Sequence, residues 1–169
     1  MKSHQLFQHI SPSLAAEVFI FLRENEKSVY KAAIQGLANQ RNLRAVFVER
    51  KPPDERHAWM KSALSRPISD TLATHLVQAW LLGANKPMLC DFLEALGIAH
   101  GEDGTVEVIP PCPPKETLQA AVDQLLAKYP HQAVAVYLHA FRDMDSSVQW
   151  PALHEILADD PRLQFAPDA

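Results

Sequence analysis

Apolar side chains recur three and four positions apart along most of this 169-residue chain, in runs divided by breaks of only a few residues. That spacing places apolar groups on one face of an α-helix, whereas strands would require alternation with period two. Leu14, Val18, Phe19, Phe21 and Leu22 form the first such run. Ser11 stands where an N-cap belongs, with Pro12 at the first helical position, where a missing N–H costs nothing. The second run carries Val29, Tyr30, Ala33, Ile34, Leu37 and Ala38, with Lys27, Lys31, Gln35 and Asn39 on the opposite face.

Further runs follow. Leu72, Leu76, Ala79 and Trp80 lead to a stop near Gly83. Met88, Leu89, Phe92, Leu93 and Leu96 are closed by Gly97 and Ile98, the glycine-then-apolar order of a Schellman stop. Leu118, Ala121, Val122, Leu125 and Leu126 make a fifth helix, and Ala133 to Phe141 a sixth that is apolar almost all round and so belongs at the centre of a core. A short C-terminal helix starts near Pro151 and stops at Asp160-Pro161. Two segments are ambiguous between helix and strand: Leu43–Arg50, with Val46, Phe47 and Val48, is read as a short helix, and Thr105–Ile109 as an extended arm. Pro52-Pro53 and the Pro-rich stretch 110–114 read as extended connectors, because proline fixes φ and removes a donor.

The expected fold is therefore all-α, with about seven helices arranged as three antiparallel helical hairpins in a compact bundle or a short HEAT-like stack. Leu14, Leu72 and Leu118 start equivalent helices, but their separations of 58 and 46 positions disagree, so an internal repeat is only weakly supported. Residues 1–169 are expected to form a single domain. Within it, 1–66 make a basic half, and 67–109 with 115–169 an acidic half around the linker 110–114. The charges divide accordingly: residues 1–66 hold eleven Lys/Arg and six Asp/Glu, net +5, and the remainder five and fourteen, net −9.

Other features narrow the function. The longest apolar runs, Val18–Leu22 and Ala133–Leu138, fall far short of the roughly 20 residues a membrane span needs, and residues 1–13 lack the apolar stretch of a secretory signal. Cys90 and Cys112, with no C-x-x-C, suit free thiols in a cytoplasmic protein better than a disulfide framework. No nucleophile elbow, zincin, phosphate-loop or dinucleotide-binding motif is present, and no Glu-x-x-His pair for a carboxylate-bridged metal site. Among eight histidines the best chemical candidate is His139, inside the most apolar helix, with Asp143 one turn later and Asp145 beyond. Such a pair serves a metal or a carboxylate-oriented base, or is simply a core histidine satisfied by its neighbour. Trp59, Trp80 and Trp150 either line a groove or anchor a core.

The leading expectation is a non-enzymatic module that binds a protein or peptide, with no cofactor, no membrane association and a homo-oligomer as an option. One alternative is a polyanion or nucleic-acid face made of Lys27, Lys31, Arg41, Arg44, Arg50 and Lys51, with Arg56 and Lys61 nearby. The other is a metal-binding protein or enzyme using His139 and Asp143. Retention on heparin tests the polyanion face: it should vanish at moderate salt and on reversal of Lys27 and Lys31, and unchanged retention after that reversal contradicts it.

Overall fold

The computed structural model describes residues 1–143 and 150–165, and every regular element among them is helical. Ten α-helices are present among the described residues: α1 (Ser3–His9), α2 (Pro12–Asn25), α3 (Lys27–Gln40), α4 (Ala45–Glu49), α5 (Pro53–Leu64), α6 (Asp70–Ala84), α7 (Lys86–Ala95), α8 (Lys115–Lys128), α9 (His131–Asp143) and α10 (Pro151–Asp159). Short 3-10 turns lie at Pro67–Ser69 and Pro161–Leu163. None of these helices is long and apolar enough to cross a membrane.

The count exceeds the seven expected from the apolar runs, for identifiable reasons. Pro53 does not continue an extended connector; it opens α5, since Pro at the first helical position leaves unmade only a bond that no partner awaits. The inward face of α5 is His57, Met60, Ala63 and Leu64, too polar and too small to register as an apolar stripe. α1 contributes only Leu6, Phe7 and the capping Ile10. Elsewhere the local signals hold. The Ser11 side chain accepts the Leu14 N–H at 3.2 Å, and Pro12 begins α2. Gly97 adopts φ +68°, with Gly97 N–H on the Glu94 carbonyl and Ile98 N–H on that of Leu93, the complete Schellman pattern. Residues 105–109 form neither helix nor strand.

The chain divides into two compact units, Met1–Gly83 and Ala84–Ala166, with the boundary at the end of α6. In the first unit α2 packs on both α3 and α5, and α1 packs on α5. Phe7 and Phe19 stack with ring centroids 5.9 Å apart, surrounded by the fully buried Leu22, Leu37, Met60 and Leu64. α1 is pinned to the start of α6: Asp70 Oδ1 accepts the His4 backbone N–H at 3.0 Å and lies 2.8 Å from His4 Nδ1. Burial pushes the Asp70 carboxyl up, but the hydrogen bonds from His4 outweigh it and hold the group below its ordinary value. At the far end of α3, Gln40 reaches the Pro67–Ser69 turn, with Oε1 2.7 Å from the Ser69 hydroxyl and Nε2 donating to the Ile68 carbonyl at 3.4 Å.

The second unit packs α7 on α8, α8 on α9 and α10, and α10 on α9. Its centre is aromatic. Phe92 meets Tyr137 and Phe141 edge-on, each at 5.5 Å, and Phe141 meets Trp150 at 5.1 Å. Trp150 donates its indole N–H to the Pro110 carbonyl at 3.1 Å, which ties the Pro-rich connector to this core. Charged pairs fasten the outside: Lys128 and Tyr129 both reach Asp91 Oδ2, at 2.5 and 2.6 Å, and Arg162 bridges Asp123 and Asp160 at 2.5 and 2.6 Å.

The loop after α7 depends on one glycine more than on the other. Gly97 has open space where a Cβ would go, whereas a Cβ on Gly104, at φ +78°, would stand 2.6 Å from that of Leu89. Gly97→Ala is therefore expected to cost about 1–2 kcal/mol, the left-handed backbone strain alone. Gly104→Ala should cost about 2–4 kcal/mol, because overpacking adds to that strain. Denaturant melts of the two variants check this, and equal losses contradict it.

Candidate functional site

The surface that stands out lies at the C-terminal end of α3 and is built by two short-range devices. Asn42 takes φ 54°, its N–H bonding the Asn39 carbonyl while Leu43 N–H bonds that of Ala38 at 2.9 Å. This is a Schellman stop with asparagine in the usual glycine position. Arg44, in extended conformation, then precedes the five-residue helix α4. The inward face of α4 is Val48, 1% exposed, with the half-buried Ala45 three positions before it. Arg56 donates to the Glu49 carbonyl at 2.9 Å, fixing the end of α4 to α5.

The consequence is an apolar ledge in solvent. Leu43, Val46 and Phe47 are all exposed, Phe47 by 58%, and it alone of the seven phenylalanines is not buried or half-buried. Ile68, 72% exposed, is held at the same end of α3 by Gln40. Cations frame the ledge. Residues 41–51 carry Arg41, Arg44, Arg50 and Lys51 against the single acid Glu49. Arg41 lies over the Trp59 ring, 5.5 Å from its centroid. Arg44, Arg50 and Lys51 make no ion pair among the described residues.

The expected polyanion residues are thus spread along the length of α3 rather than clustered. Lys27 and Lys31 are exposed in the first turns of α3, and Arg41 lies just past its end, roughly 21 Å further along the axis at 1.5 Å per residue. Arg56 and Lys61 have structural duties, the latter donating to the Gln8 carbonyl at 3.3 Å. What composition alone did not reveal is that V-F-V in 46–48 buries only its last member. Nine residues separate Asn42 from Pro52-Pro53, and only five of them, Ala45–Glu49, are helical, which the sequence did not signal.

The histidine candidate resolves differently. His139 is buried, 7% exposed, with its ring stacked on Phe165 at 5.9 Å and its Nδ1 without a hydrogen bond among the described residues. The Asp143 carboxylate takes the Arg142 guanidinium at 3.2 Å rather than the imidazole. Asp145 lies outside the described residues. Among the described residues no three His, Cys, Asp or Glu side chains converge as a metal site requires. Both cysteines are unbonded to each other, and His100 turns to the Gly101 carbonyl at 2.7 Å. Trp80 and Trp150 are buried, and Trp59 is half-buried beneath Arg41, so the tryptophans do not line a common groove.

Burial lowers the His139 pKa to about 4, outweighing the opposing pull of Asp143, with His154 lowering it further. Since the folded value lies below the unfolded 6.5, the unfolded chain binds the extra proton between the two. Stability from this residue is therefore full above about pH 6.5 and drains as pH falls towards 4, by up to about 3 kcal/mol. Urea melts across that range should show His139→Phe flattening the slope, and an unchanged slope contradicts the assignment.

The chain matches no protein-family model, no curated protein and no solved structure.

Proposed function

We propose that this protein is a binding module for a protein or peptide partner, and that the ledge around α4 is where the partner docks. The observation that carries the reading is Phe47, held in solvent on an anchored helix, with the exposed Leu43 and Val46 in the same segment and with cations without acidic partners. Exposed aromatic and aliphatic groups at such a site gain by burial against another apolar surface, and aromatics with arginines are the side chains that dominate interface energies. The fitting partner presents apolar side chains flanked by aspartate or glutamate. Opposite charges at the rim speed encounter and set register, and desolvation of Phe47 supplies the affinity. Helices paired across short breaks, as α2 with α3 and α8 with α9, suit a rigid interaction scaffold of the helical-hairpin kind.

A polyanion reading has one observation in its favour: bases stack on aromatic rings beside arginines, and Phe47 with Arg44 and Arg50 offers that combination. Leu43 and Val46 favour the protein reading, because aliphatic groups gain little from a sugar-phosphate backbone.

Selection of displayed peptides against the purified chain is expected to enrich segments with acidic residues beside leucine, valine or phenylalanine. Phe47→Ser should weaken those binders about 30-fold or more. The double change Lys27→Glu, Lys31→Glu, distant along α3, should alter affinity by less than about threefold. Binders indifferent to Phe47→Ser overturn the assignment. Binding of single-stranded oligonucleotides with a steep salt dependence, lost in Arg44→Glu, would support the polyanion reading instead.

A further inference from the structure

The second unit carries a surface of the opposite character. Residues 101–109 contain Glu102, Asp103 and Glu107 and no lysine or arginine. Asp103 is occupied within the loop, accepting from the Thr105 hydroxyl at 2.6 Å and the Thr105 N–H at 3.1 Å. Glu102 and Glu107 are exposed and form no ion pair among the described residues. Val108 is 79% exposed and is the one large apolar side chain of the second unit, among the described residues, that stands out in solvent. Beside it lies a cleft of about 530 Å³ lined by Ile98, His100, Glu107, Val108 and Pro110 among others. The loop that forms the cleft is braced: the Gly101 N–H meets the Thr105 carbonyl at 2.8 Å, and Gly104 lies directly on Leu89.

These features complement those of α4 one for one. The exposed phenyl ring suits a cleft whose apolar part is Ile98, Val108 and Pro110, the exposed Val108 suits Leu43 and Val46, and the two free carboxylates suit Arg44 and Arg50. Neither Phe47 nor Val108 is covered by its own unit, and a second copy of the chain carries the complement of each. We infer that two copies of this chain associate, the α4 ledge of one seating Phe47 in the 97–110 cleft of the other, with Arg44 and Arg50 meeting Glu102 and Glu107. This inference rests on the docking reading of α4 and names its occupant. Made reciprocally the contact is isologous and closes as a dimer; made one way it is heterologous and propagates.

A charge-swap experiment on the full chain tests it. Sedimentation equilibrium at increasing concentration should show the wild-type mass rising above 18.9 kDa, less so at about 0.5 M than at about 0.05 M salt. Arg44→Glu with Arg50→Glu should abolish the rise, as should Glu102→Lys with Glu107→Lys. Mixed in equal amounts, those two variants should associate again, since each supplies the sign the other lost. Phe47→Ser should weaken association about 30-fold or more. A mass of 18.9 kDa at every concentration, or a mixture that stays monomeric, overturns the inference. A monomeric chain that still binds displayed peptides through Phe47 would sink self-association while leaving the docking surface intact. Loss of both would sink the two together.

Discussion

The five-residue helix α4 fully buries one side chain, and the character of this protein's most distinctive surface follows from which one it is. α4 lies between the asparagine stop at Asn42 and the two prolines that start α5, and only five of the nine residues between them are helical, so it has no apolar stripe repeated over several turns. Val48 takes the inward position. Val46 and Phe47, the adjacent residues of the same apolar triplet, are turned into water as a geometric consequence of burying it. The ledge is thus neither a loop that happens to stand open nor a fault in the core. It is a short element with a buried anchor and an end tied down by Arg56.

The rest of each unit supplies the stiffness that makes such a surface usable. In the first, the stacked Phe7 and Phe19 and the His4–Asp70 pair hold α1, α5 and α6 around the helices that carry α4. In the second, the aromatic set of Phe92, Tyr137, Phe141 and Trp150 fixes α7, α9 and α10, and the Trp150 indole bond to Pro110 fixes one end of the loop that frames the cleft. Ordering entropy is the main cost of binding through loops and single turns. Both surfaces have it largely met before a partner arrives, α4 by the buried Val48 and the Arg56 bond to Glu49, and the 97–110 loop by its Schellman glycine and its close seat on Leu89.

Legibility in the sequence tracked the length of each apolar pattern. α2, α3, α6 to α9 and the start of α10 were readable because each repeats its stripe over several turns or carries a decisive cap, as at Ser11 and Gly97. α1 and α5 were not, because seven residues with two buried apolar groups make no stripe, and because the inward face of α5 includes His57 and Ala63. The cations of 41–51 were visible as charge, but sequence cannot tell that Arg56 and Lys61 are spent on backbone carbonyls or that Lys27 and Arg41 sit at opposite ends of one helix. The exposed ledge was hidden for a subtler reason. Hydrophobicity predicts burial, and of the three apolar residues 46–48 only Val48 follows it.

Chemical denaturation of Val48→Ser beside Phe47→Ser tests that central claim most directly, because the two residues are neighbours of similar hydrophobicity in one turn. The account predicts that Val48→Ser loses about 2–4 kcal/mol, as a buried aliphatic group replaced by a polar one should. Phe47→Ser, altering a side chain already in water, should stay within about 0.5 kcal/mol of the parent. A loss at Phe47 equal to or larger than that at Val48 would mean the phenyl ring is part of the core, and would contradict the exposed ledge and everything built on it.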